Sequence, residues 1–90
     1  MDREELKKRF KNGERDFSGV DWSGSNLHFL DLSGIILLGA NLSRCDLVDV
    51  IFHNANLEEA IFQGANLDGA NFQKSNLRRA SFENSILIRS

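Results

Sequence analysis

The sequence predicts an all-β solenoid, a quadrilateral β-helix with about four five-residue repeats per coil, preceded by a short capping α-helix. Three observations predict it. A large apolar residue recurs every five positions. A small or aliphatic residue recurs two places before each of these. The large residues alternate in type along the later half of the chain. An internal period is sought first because it decides the architecture.

The row of large residues is Phe17, Trp22, Leu27, Leu32, Leu37, Leu42, Leu47, Phe52, Leu57, Phe62, Leu67, Phe72, Leu77, Phe82 and Leu87. These fifteen centres form the predicted core stack. The second row runs Val20, Ser25, Leu30, Ile35, Ala40, Cys45, Val50, Ala55, Ala60, Ala65, Ala70, Ser75, Ala80, Ser85, with Arg15 as its one charged member. A period of five fits neither an α-helix at 3.6 nor a plain strand at 2.0. It fits a short extended segment plus a corner. Two apolar positions spaced by two point to one side of an extended chain, and the residue between them points the other way. The two residues that follow then turn the chain, and Gly, frequent there (19, 24, 34, 39, 64, 69), turns at low cost.

The number of sides follows from the alternation. From Leu47 to Leu87 the centres read Leu, Phe, Leu, Phe without a break. Four repeats per coil place Phe72 over Phe52 and Phe82 over Phe62, with Leu on Leu between. Three per coil would place Phe on Leu in every stack. Like-on-like layers hold the volume per layer constant, as close packing favours.

Residues 1–14 form a separate segment, and residues 15–90 form the solenoid. Asp2 is placed to cap a helix, with Glu5 three residues on. Leu6 and Phe10, four apart, make one apolar stripe. Asn12-Gly13 stops the helix. A helix over residues 2–11 is too short to be stable alone, so Leu6 and Phe10 are expected to pack over the open first coil, as repeat proteins require.

The residues between the two apolar rows are mostly Asp or Asn: Asp16, Asp21, Asn26, Asp31, Asn41, Asp46, Asn56, Asn66, Asn71 and Asn76. A carboxylate supplied by every repeat is structural, and such side chains bond turn backbone groups. No catalytic constellation stands out. His28 and His53 sit after different centres with no outward Cys, so a zinc site lacks ligands. Cys45 takes a small inward position, as a structural thiol does. The serines have no His/Asp partners, and the glycines open no helix, so there is no phosphate loop. No cofactor and no metal are expected, and the chain does not read as an enzyme.

Charge is segregated. Residues 15–68 carry eight acids against Arg15 and Arg44, net −6 (2 − 8); residues 69–90 carry four bases against Glu83, net +3. Glu58 with Arg78, and Glu59 with Arg79, lie twenty apart and are expected to pair on adjacent coils. With a chain net charge of −2, neither direct nucleic-acid binding nor membrane association is expected. The charged opening has no apolar core, so it is not a secretory signal; the expected location is the cytoplasm.

The segments ANLSR, ANLEE, ANLDG and ANFQK, starting at residues 40, 55, 65 and 70, carry the pattern A-[DN]-L-x-x. They resemble the pentapeptide repeat family, and the resemblance extends over residues 15–89 without a break in register. The opening GERDFSG (13–19) resembles short members from photosynthetic bacteria. The resemblance implies a right-handed four-sided β-helix. It also implies that some relatives bind DNA gyrase or topoisomerase IV as DNA mimics.

The sequence therefore reads as a non-catalytic rigid β-helix acting as a protein-interaction or structural scaffold. Ile36, Leu38, Ile86, Leu87 and Ile88 are the candidate interface, and a homodimer through the C-terminal coil is the candidate partnership. The alternative is a DNA mimic directed at a gyrase or topoisomerase. Fifteen repeats span about 18 Å at about 4.8 Å per coil, and matching DNA over that length takes roughly ten charges on one side. A net of −6 around four faces falls short. A sugar-binding groove would need clustered outward aromatics, and only Phe29 qualifies.

Overall fold

The structure, a computed structural model, describes residues 2–89. After the helix, every side of the solenoid is a bridge of one residue flanked by a turn. The bridges are parallel and join residues twenty apart, from Asp16 with Ile36 to Asn66 with Ile86. Twenty residues per coil at five per side gives four sides, as the Leu/Phe alternation predicted. The sides are too short to form extended strands, since only three of each five residues are extended.

Three backbone hydrogen bonds tie each side, from residue 16 to residue 69, to the coil above. On the first side the Phe17 amide donates to the Ile36 carbonyl (2.8 Å), the Ile36 amide to the Arg15 carbonyl (2.8 Å) and the Gly19 amide to the Leu38 carbonyl (2.9 Å). The same set repeats up the stack. Backbone groups of a packed chain must find partners, and a parallel coil supplies them without long strands.

Each corner is a β-turn. The Ala40 amide donates back to the Leu37 carbonyl at 3.0 Å, and equivalent bonds close most other corners. The third residue of each turn has positive φ, as a type II turn requires. Gly34 (φ 77°) meets this without strain, but nine non-glycine residues do the same, including Phe29 (67°), Arg44 (57°) and Asn54 (59°). The sequence showed that the chain turns here; it did not show that so many side-chain-bearing residues would be held in the left-handed region. None of the nine is β-branched, the type that this region excludes most strongly.

The interior is one continuous cluster. The centres from Phe17 to Leu67 are all buried, together with Leu30, Ile35, Ala40, Cys45, Val50, Ala55, Ala60, Ala65 and Ala70 of the second row. Burying a Leu or Phe contributes about 1.5–3 kcal/mol. Phe52 stacks on Phe72 (centroids 5.7 Å, 24° between planes) and Phe62 on Phe82 (5.0 Å, 8°), the two pairs the alternation placed together. Across the interior the Phe62 and Phe72 rings meet edge to face at 6.1 Å and 82°, a favoured aromatic arrangement.

The core row weakens at its far end. Phe72, Leu77 and Phe82 are half-buried, and Leu87 is 45% exposed. Leu87 is a correction to the predicted core stack. A centre is covered by the coil above it as well as by its neighbours, and no described residues lie above the last coil, residues 70–89, here coil four, which rests on coil three, residues 50–69.

The helix α1 (Arg3–Lys11) starts on Asp2, whose carboxylate accepts from the Glu5 amide at 2.8 Å. Leu6 is buried in the cluster, and Phe10 packs against it half-buried. Two arginines fix the junction. The Arg15 guanidinium lies 3.7 Å from the Phe10 ring centroid and donates to the Phe10 carbonyl at 2.8 Å. The Arg9 guanidinium lies 5.0 Å from the Phe17 ring and bonds Glu14 (Nε to Oε1, 2.8 Å). This accounts for Arg15 in a row of small residues: it stacks on the helix instead of entering the core.

Candidate interaction surface

The outward side chains divide into groups engaged by the fold and groups left over. All ten Asp/Asn residues of the repeat are engaged. Each accepts, through Oδ1, from the amide two residues on, at 2.9–3.3 Å from Asn71 to Asn26. At Asp16, Asp21 and Asp31 a serine hydroxyl also donates, at 2.6–2.7 Å. Those hydroxyl bonds, with the amide bonds behind them, hold the three carboxyls below the usual carboxylate range.

The other acids of residues 15–68 mostly face cations. His28 Nδ1 lies 3.1 Å from Asp46. Arg79 reaches down one coil to Glu58 (2.5 Å) and Glu59 (3.3 Å). Arg89 reaches down one coil to Asp68 (2.9 Å) and, more loosely, two coils to Asp49 (3.9 Å). The expected pair of Glu59 with Arg79 forms. The expected pair of Glu58 with Arg78 does not: Arg79 takes both glutamates, because its corner position lets one guanidinium reach both. Among the described residues Arg78 makes no ion pair.

The inward polar groups are also accounted for. The Cys45 thiol donates to the Trp22 carbonyl at 3.0 Å, and burial pushes it up to about 11. A thiol so placed is protonated and shielded at neutral pH, the opposite of a nucleophile. His53 stands beside Asn54, its Nδ1 3.4 Å from Nδ2, away from His28. Among the described residues no three His, Cys, Asp or Glu side chains are grouped so as to hold a metal ion.

What is left over includes Lys74, Arg78 and Glu83 and a set of exposed apolar side chains, among them Phe29 and Ile61. Of the sequence-predicted interface residues, Ile36 is half-buried within its bridge, and Leu38 is exposed beside Gly39. Ile86 is 45% exposed and Ile88 64%. These two occupy positions that hold Asn26, Asp46 and Asn66, and His28, Val48 and Asp68, in the coils below. With Leu87 they make the most apolar outer stretch of the described chain. Beside it, the amides of Phe72, Lys74, Leu77, Arg79, Phe82 and Asn84 have no acceptor among the described residues, whereas their equivalents one coil down all bond upward.

A family model of pentapeptide repeats matches residues 25–64 and 65–90. The chain belongs to the pentapeptide repeat family. The fold of that family is a right-handed quadrilateral β-helix, in keeping with the four-sided coils described above. Its members are in general non-catalytic repeat proteins. Similar solved structures include HetL, a pentapeptide repeat protein involved in heterocyst differentiation regulation from the cyanobacterium Nostoc sp. strain PCC 7120 (27% identity, TM-score 0.50, covering 80% of this chain and 40% of HetL). Another is a second pentapeptide repeat protein of Nostoc PCC 7120 (28%, TM-score 0.41, 88% and 74%). A third is one from the thylakoid lumen of Arabidopsis thaliana (31%, TM-score 0.37, 84% and 70%). The chain thus spans less than half the length of HetL. A search of curated proteins gave no match. Among the described residues no helix is long and apolar enough to cross a membrane.

Proposed function

We propose that this pentapeptide repeat protein is a non-catalytic interaction scaffold, with coil four as its interaction surface and a second copy of the chain as the occupant. One observation carries the reading. The exposed apolar stretch Ile86, Leu87, Ile88 adjoins the row of amides without acceptors. A β layer laid on that coil would satisfy both at once, as edge strands favour.

Charge opposes the pairing only weakly. The chain beyond residue 68 carries net +3, but Arg79 and Arg89 are turned down onto acids of coil three. Lys74, Arg78 and Glu83 are left to face a partner, a net of +1 (2 − 1). The helix α1, with Leu6 in the core, acts as the cap of the opposite end. The same ion pairs weaken the topoisomerase-mimic alternative. Four of the eight acids of residues 15–68 face arginines, Asp46 faces the His28 ring, and the other three hold serines at corners.

Sedimentation equilibrium over a range of concentrations tests the proposal, on wild type and on an Ile86→Asp, Ile88→Asp double variant. A wild-type dimer that dissociates in the variant supports it. A wild type that stays monomeric throughout, or a dimer indifferent to the two substitutions, sinks it.

A further inference from the structure

The junction of α1 with the first coil leaves an open recess beside the capping contact. A cavity of about 480 Å³ opens there, between the helix and the side formed by residues 30–32. That size lies within the range of small-ligand sites. Its apolar lining is half-buried Phe10 with the outer edges of the otherwise buried Leu30 and Leu32, and its rim carries Lys7, Lys8 and Lys11 with Glu4 and Asp31.

The rim charges are not equivalent. Lys7 is paired with Glu4 at 3.8 Å. Asp31 accepts from the amide and the hydroxyl of Ser33 (3.0 and 2.6 Å). Lys8 and Lys11 make no ion pair among the described residues, and at a spacing of three they are neighbours on one side of the helix. The rim nets +1 (3 − 2), with its two free charges on α1.

We propose that this cavity binds a small amphipathic carboxylate, such as a medium-chain fatty acid, with its apolar body on Phe10, Leu30 and Leu32 and its head group at Lys8 and Lys11. The chemistry selects that class. An apolar floor gives a bare inorganic anion nothing to rest on. A neutral apolar body leaves the two ammonium groups unused. A sugar or a base would want an exposed aromatic face or several polar groups in the floor, and the only aromatic here, Phe10, already has a guanidinium against its ring. The site is at the opposite end of the solenoid from coil four, so this inference does not depend on the proposed self-association.

The test is a heteronuclear NMR titration with decanoate below its micelle concentration, with decanol and acetate as separate controls, on wild type and on a Lys8→Gln, Lys11→Gln double variant. Both substitutions are on the helix surface, and an unchanged spectrum away from the helix confirms the fold of the variant. The expected result is saturable movement of the Leu30, Asp31 and Leu32 amides with decanoate, weaker binding of decanol, and none of acetate. The variant should weaken decanoate roughly tenfold, as two partly exposed charge contacts would, and leave decanol unchanged. Absence of saturable shifts at those amides overturns the proposal. Equal binding of decanoate and decanol to both proteins overturns the charge assignment on which the ligand class rests.

Discussion

At the scale of the residue, the recurring Asp and Asn act through one local bond. Oδ1 reaches the amide two positions on, so the contact depends only on nearby backbone and was legible in the sequence. Asn41 shows that no charge is required: it accepts from the Ser43 amide and hydroxyl at 3.0 and 2.7 Å, as the aspartates do with their serines. The pH dependence follows. Asp16, Asp21 and Asp31 titrate lower folded than unfolded. Their stabilisation is therefore complete above the unfolded carboxylate value of about 3.9 and is lost as pH falls through the lower folded values. The urea midpoint should stay flat from pH 7 to about 5 and fall below about 4. An Asp16→Asn, Asp21→Asn, Asp31→Asn variant should keep its fold and show a shallower acid limb; an unchanged limb would remove these three carboxylates from the account. Ion-pair choice was less legible at this scale. The spacing of twenty brought Glu58 and Glu59 to the level of Arg78 and Arg79, but which arginine served which acid depended on corner geometry that no spacing encodes.

At the scale of the element, the five-residue side was readable because in-out-in alternation and turn residues recur with it. The backbone demand of the corner was not. Gly34, Asn54 and Lys74 share one corner column with φ of 77°, 59° and 61°, although their side chains have nothing in common. Steric preference sets the order in which residues tolerate that column. Gly34→Val should destabilise by about 1–3 kcal/mol, whereas Asn54→Gly should change stability by only a few tenths of a kcal/mol, since Asn already tolerates the conformation. Chemical denaturation of the two variants checks this, and a neutral Gly34→Val would mean that the corner relaxes out of the left-handed region. The helix was legible from Asp2, Glu5, Leu6 and Phe10. The two arginine–aromatic contacts that fix it to the first coil were not, because Arg9 and Arg15 read simply as charged residues.

At the scale of the molecule, the number of sides came from a volume argument. The Phe52–Phe72 and Phe62–Phe82 stacks occupy the layers it assigned. The same reading overextended the core to Leu87, because periodicity states which way a side chain points and not whether anything lies above it. In a solenoid each coil contacts only its neighbours, so stability and exposure are set locally along the axis. Coil four differs from the coils below it in its amides without acceptors and in the exposed run Ile86, Leu87, Ile88, and the proposed function rests on that difference. Native-state amide hydrogen exchange at low and high protein concentration tests it most directly. The amides of Leu47, Phe52, Leu57 and Phe62, which bond to the coil above, should exchange slowly at both concentrations. Those of Phe72, Lys74, Leu77, Arg79, Phe82 and Asn84 should exchange fast in dilute solution and slow as copies associate. If these six stay fast at every concentration while the lower coils remain protected, coil four is not where this protein meets a second copy, and the account is contradicted.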